Sequence, residues 1–202
     1  MPTNIVIIAC SIFKTELEHL KSMGKITMPI IYLDSMLHMH PKKLQELLDS
    51  KIKEYNELKI VLVFGDCHAR MIDYEENKNI VRTPGINCCE IFLGSGQYRK
   101  VRNEGAFILL PEWASRWKEV FIDYMGFKNS KTTTEFMNDM HKKLVYVDTG
   151  YNKTNNPLLN EISEFVGLPL EIQHSSINEL EKNVLSLINQ QETDSKNNNN
   201  GG

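Results

Sequence analysis

The chain has 202 residues, 41 % hydrophobic and 24 % charged, enough to bury a full core without disulfide or metal staples. Its 23 basic and 26 acidic residues are mixed along the chain and sum to -3, so there is no basic stripe to neutralise phosphates, which argues against nucleic acid as the main partner. No apolar run reaches the roughly 20 residues that span a bilayer, and MPTNIVIIAC lacks the basic start and apolar length of a secretory leader, so a cytoplasmic protein is expected.

Short apolar runs alternate with longer amphipathic stretches, the pattern of a parallel sheet covered on both faces. Asn4 to Cys10 reads as a first strand, continuous in Ile and Val. A helix follows from Ile12 to Met23, with Ser11 as its cap and Gly24 as its stop. TMPIIYL is a second strand, and Pro41 opens a helix whose Leu44, Leu47, Leu48 and Ile52 recur at helical spacing. Lys59 to Gly65 is the clearest strand, released by Gly65 into a tight turn. Beyond it lie a short strand at Ile80 to Arg82, a turn at Pro84-Gly85 and a helix carrying Cys88 to Leu93. AFILL is a fifth strand, and Pro111 starts a helix holding Trp113, Trp117, Val120 and Phe121. A helix from Thr134 to Lys143 leads to a sixth strand, LVYVDTG. A helix ending near Gly167, a brief strand PLEIQ and a helix from Ile177 to Ile188 complete the pattern. The expectation is one three-layer, Rossmann-like α/β domain over 1–190, a mostly parallel sheet flanked by helices. Residues 191–202, polar and low in complexity, are expected to form a disordered tail.

In open parallel sheets ligands bind beyond the carboxyl ends of the strands. Cys10 closes strand one, His38 and His40 follow strand two, and Cys67 and His68 follow strand three. Cys88 and Cys89 follow strand four, and Asp148 follows strand six. Every cysteine thus falls near the same sheet edge, whereas thiols used only for packing would be scattered. A lone cysteine packs well as a small apolar group, so Cys10 taken singly is as readily core as ligand. Cys67 is harder to assign to packing, because Gly65, Asp66 and His68 around it are polar or flexible. Cys88 and Cys89 are about 100° apart on a helix, so one of them faces a shared site and the other packs. His19, His141 and His174 read as surface residues, Asp148 as a turn cap, and the Trp113/Trp117 spacing as a core stripe. GSGQYR follows a helix and lacks a third glycine, so it reads as a helix stop, not a dinucleotide fingerprint.

Three thiols and an imidazole suffice for tetrahedral zinc or for one edge of an iron-sulfur cluster, although no C-x-x-C is present. The competing chemistry is metal-free: Cys67 as a nucleophile, with His68 or His38 as base and Asp66 orienting. A third reading is a binding module holding a small anion at helix N-termini, the thiols being incidental.

The segments ACSIFKTELEHL, LHMHPKKLQELL, VFGDCHARM, GINCCEIFLGS, GAFILLPEWASRW and VDTGY, in that order and spacing, resemble domain-of-unknown-function family 1638 of archaea and anaerobic bacteria. The resemblance runs from Asn4 to Leu187. It implies that Cys10, His38 ahead of Pro41, Cys67 and Cys89 are the matching positions, favouring Cys89 over Cys88 and His38 over His40. Cys88 departs from the family's pattern, standing where an acid or histidine is usual. The resemblance further implies a setting beside corrinoid-dependent methyltransferases in one-carbon metabolism. The expectation is therefore a zinc or iron-sulfur site on Cys10, His38, Cys67 and Cys89, with a corrinoid protein or methyltransferase as partner.

Overall fold

A computed structural model describes residues 4–152 and 154–199. In chain order these form β1 (Ile5–Cys10), α1 (Lys14–Ser22), β2 (Ile30–Leu33), α2 (Pro41–Glu54), β3 (Lys59–Val63), β4 (Ile80–Arg82) and α3 (Cys88–Asn103). There follow β5 (Ala106–Leu109), α4 (Pro111–Ser115), α5 (Ser130–Met140), β6 (Lys143–Asp148), α6 (Asn156–Val166), β7 (Leu170–His174) and α7 (Asn178–Asn199). The fold is mixed α/β with parallel sheets flanked by helices, in keeping with a Rossmann-like three-layer arrangement. The strands sort into two sheets, of four and three strands. The chain packs as two compact units, Met1–Phe92 with Asn178–Gly202, and Leu93–Ile177. No helix among the described residues is long and apolar enough to cross a membrane.

The first unit carries the sheet β2-β1-β3-β4, every pairing parallel. All six residues of β1 and all five of β3 are buried, as strands covered on both faces must be. Each buried Ile, Val or Leu contributes about 1.5–3 kcal/mol relative to exposure, which makes these two strands the core of the unit. The step from β1 to β2 and the step from β2 to β3 run in opposite directions across the sheet. Right-handed crossovers therefore put α1 and α2 on opposite faces. α7 returns to pack on β1, β3 and β4. It continues through Asn199, past the point where composition suggests loss of order. Gln191, fully buried, donates from Nε2 to the Asn79 carbonyl at 3.3 Å and ties this polar end to the unit. Residues 200–202 of the expected tail lie outside the described residues.

The second unit carries β5-β6-β7, again parallel throughout. Two helices differ from expectation for local reasons. The expected Thr134–Lys143 helix begins at Ser130, because Asn129 caps it by accepting from the backbone N–H groups of Lys131 and Thr132 at 2.9 and 3.4 Å. It ends at Met140, since Lys143 already lies in β6 beside Ala106. The tryptophan helix stops at Ser115 and a π-helical turn at Glu119–Tyr124 takes its place, with Trp117, Val120 and Phe121 still buried. Gly94, at φ 73° and ψ 156°, breaks α3 into two helical pieces where the sequence suggested a stop.

Candidate functional site

Within the first unit the carboxyl edge of the sheet collects three thiols. Cys10 is the last residue of β1, paired with Leu33 of β2, and is 5 % exposed. β3 ends at Val63 beside Ala9, so the loop after it starts next to Cys10. In that loop the Cys67 N–H donates to the Gly65 carbonyl at 2.9 Å, a tight turn that leaves Cys67 partly buried.

Cys88 arrives from the other side. The Asn87 side chain accepts from the Glu90 N–H at 2.9 Å, and the Glu90 carboxylate accepts from the Ile86 N–H at 2.8 Å. This reciprocal cap starts α3 at Cys88. Two backbone contacts then lock the helix start against the β3 loop. The Asp66 N–H donates to the Ile86 carbonyl at 3.0 Å. A Cβ added at Gly65 would stand 2.4 Å from the Asn87 Cα, so only a glycine lets the two chains approach this closely.

The outcome is that Cys88 meets both Cys10 and Cys67. The Cys88 thiol, whose single proton serves either Cys10 or Cys67, is held well above the ordinary thiol range by these two contacts and by burial. Cys67 is held below the ordinary value, chiefly by Cys88, then by the Gly65 backbone, with burial opposing. The Arg82 guanidinium adds a favourable charge, set against the unfavourable one of Asp66. Arg82 is itself fixed by Asp66 and Glu75, both at 2.9 Å. Of the two, Cys67 gives up its proton the more readily and Cys88 the less.

The third sulfur of the cluster is therefore Cys88, whereas the resemblance favours Cys89. Cys89 is the second residue of α3, turned about 100° further round the helix axis. The N-C-C-E pattern marks where α3 starts, and the packing of that helix start on the β3 loop selects Cys88. His38 sits in a 3-10 turn, its Nδ1 donating to the Ser35 carbonyl at 2.8 Å. That bond assigns the neutral ring's proton to Nδ1 and the lone pair to Nε2. The Ser35 N–H donates in turn to the Ser11 hydroxyl at 2.9 Å, tying this turn to the residue after Cys10. His68 is 7 % exposed, and its Nδ1 accepts from the Arg70 N–H at 3.3 Å. Its ring packs edge-on against Tyr74, and burial holds its pKa down. Its Nε2 is buried without a hydrogen-bond partner. Asp148 and His174 belong to the second unit. Asp148 accepts from the Gly150 N–H at 2.9 Å, a turn cap, and meets His174 Nδ1 at 3.1 Å.

None of the four cysteines is in a disulfide. Among the described residues no three His, Cys, Asp or Glu side chains are set out around a common metal position. Cys10, Cys67 and Cys88 are the soft donors that this edge offers. Residues 32–184 match the model of a family described as a protein of unknown function, DUF1638. No curated protein and no solved structure matches the chain.

Proposed function

The chain belongs to the DUF1638 family, and we propose that its first unit is a thiolate centre binding a soft metal ion, zinc or the iron of a cluster, through Cys10, Cys67 and Cys88. The observation that supports this is the contact of Cys88 with two thiols brought by separate strand ends. A redox thiol pair needs two sulfurs, whereas a third from a distant segment is what metal coordination uses. When bound, such an ion supplies a Lewis-acid position at which an outside thiol or carbonyl is activated. The wider setting in this reading is the cytoplasm of an anaerobe, beside a corrinoid protein or methyltransferase.

Metal content of the full chain, purified without oxygen, tests the proposal. We expect zinc or iron at about one site per chain, lost on Cys67→Ser or Cys88→Ser and kept in Cys89→Ser. Binding that survives Cys88→Ser but fails in Cys89→Ser would overturn the assignment. So would a wild-type chain that takes up neither metal.

A second reading is favoured by the lowered pKa of Cys67: a metal-free enzyme with Cys67 as nucleophile and Cys88 as the donor that stabilises its thiolate. Rapid single-site alkylation of Cys67 in the metal-free chain, unaffected by added zinc, would select it. His68 does not serve as base in this reading, since its Nδ1 lone pair accepts from the Arg70 N–H.

A further inference from the structure

β3 opens on a lysine in a strand that is otherwise Ile, Val and Leu. Lys59 is 9 % exposed, and a cation buried this far is normally answered by a carboxylate. Here Nζ donates to the Asn79 side-chain oxygen at 2.9 Å, and no carboxylate lies within ion-pair distance of it among the described residues. An amide oxygen solvates an ammonium without neutralising it. The unanswered charge borders a cavity of about 540 Å³ on the flank of β4, shared with Lys78, Arg82, Glu75, Gln190 and Asp194.

Among the residues lining this cavity, three cations, Lys59, Lys78 and Arg82, meet two carboxylates, Glu75 and Asp194. Glu75 is committed to Arg82 at 2.9 Å, and Arg82 also holds Asp66. Lys59 and Lys78 are then left facing Asp194, two ammoniums against one carboxylate. The Gln190 amide adds a neutral donor on the α7 side. Clefts of roughly 300–1,000 Å³ hold small metabolites, so the volume is that of a ligand and not of one ion. Lys59 and Asn79 stand at the amino ends of their strands and the thiol cluster at the carboxyl ends, with Arg82 at the far end of β4 bordering both.

We infer that this cavity binds a small metabolite by an oxyanion group, phosphate or carboxylate, received by the ammoniums of Lys59 and Lys78. The ligand supplies the counter-charge that the fold withholds from Lys59. Asp194 lies at the rim and limits how much negative charge the site accepts.

The test is a titration of the isotope-labelled full chain with sodium phosphate and, separately, sodium citrate, at ionic strength held constant with sodium chloride. We expect saturable amide shifts at Lys59, Lys78, Val81 and Gln190 in the millimolar range or below, and the anion that saturates first identifies the group. Lys59→Met keeps the aliphatic stem and removes the charge, and should weaken binding about tenfold, the loss of about 1.4 kcal/mol. Lys78→Met, at an exposed position, should weaken it about threefold, and Asp194→Asn should tighten it about twofold. Should Lys59→Met not fold, the Lys78 and Asp194 variants carry the test alone. Shifts that grow without saturating, shifts equalled by chloride, or unchanged binding in both Lys78→Met and Asp194→Asn would overturn the inference. The thiol cluster is untouched by these variants, so the result is independent of the metal proposal.

Discussion

At the carboxyl edge of the four-stranded sheet, Cys10, Cys67 and Cys88 come together from three separate segments. At the same edge of the three-stranded sheet, Asp148 and His174 are neighbours in register on adjacent strands. The first edge is tied loop to loop, by the Asp66 to Ile86 backbone bond and the close approach of Gly65 to Asn87. The second is tied across one pair of neighbouring strands: Asp148 caps its own turn at Gly150, and its carbonyl accepts from the Ser175 N–H just beyond β7 at 2.9 Å. A parallel sheet brings strand ends together in both cases. At the first edge the bonded loops bring three side chains from three segments together, whereas at the second two adjacent strands bring only a pair.

The sharpest way to break this contrast is to add one methyl group to a glycine at each edge. Gly65→Ala forces a Cβ to 2.4 Å from the Asn87 backbone and should cost about 3 kcal/mol in urea unfolding, while separating Cys67 from Cys88. Gly150→Ala meets nothing within 4 Å and strains only a φ of +79°, which should cost about 1 kcal/mol. Equal losses at the two positions would show that the loop-to-loop contact is not what distinguishes the edges.

Removing the Cys88 thiol is the next largest change. In the metal-free chain Cys67 should be alkylated at lower pH than an ordinary cysteine, because Cys88 donates to its thiolate. Cys88→Ala removes that donor, so the labelling curve should move to higher pH and the rate at neutral pH should fall about tenfold for each pH unit of movement. Cys89→Ala should leave the curve in place. A curve that moves only in Cys89→Ala would reassign the cluster.

The smallest effect is expected at the other edge. His174 has a side chain 83 % exposed, so its contact with Asp148 is screened by water. His174→Ala should change stability by about 0.5 kcal/mol or less, measured by the same unfolding transition. A loss comparable to that of Gly65→Ala would give the second edge a structural weight that its exposure does not suggest.

Much of this architecture was legible in the residues. The buried strands Ile5–Cys10 and Lys59–Val63 announce themselves because a parallel strand covered on both faces must be apolar at every position. The gathering of cysteines at one edge follows from strand ends alone. The choice between Cys88 and Cys89 was less accessible, since it turns on one residue of helix phase, set by where Asn87 and Glu90 begin α3. Nothing in the local pattern of Lys59–Val63 marks Lys59 for burial, which depends on α7, more than a hundred residues later, folding back over β3 and β4.

By itself the sequence determined the order and kind of the elements, because periodicity and turn chemistry act over a few residues. It also determined which end of the first sheet would carry sulfur. Tertiary structure alone decided that the strands form two sheets, that Cys88 is the sulfur meeting both Cys10 and Cys67, and that Lys59 is buried beside a cavity. Each of these depends on contacts between segments far apart in the chain, whose meeting is set by packing and backbone approach, not by local pattern.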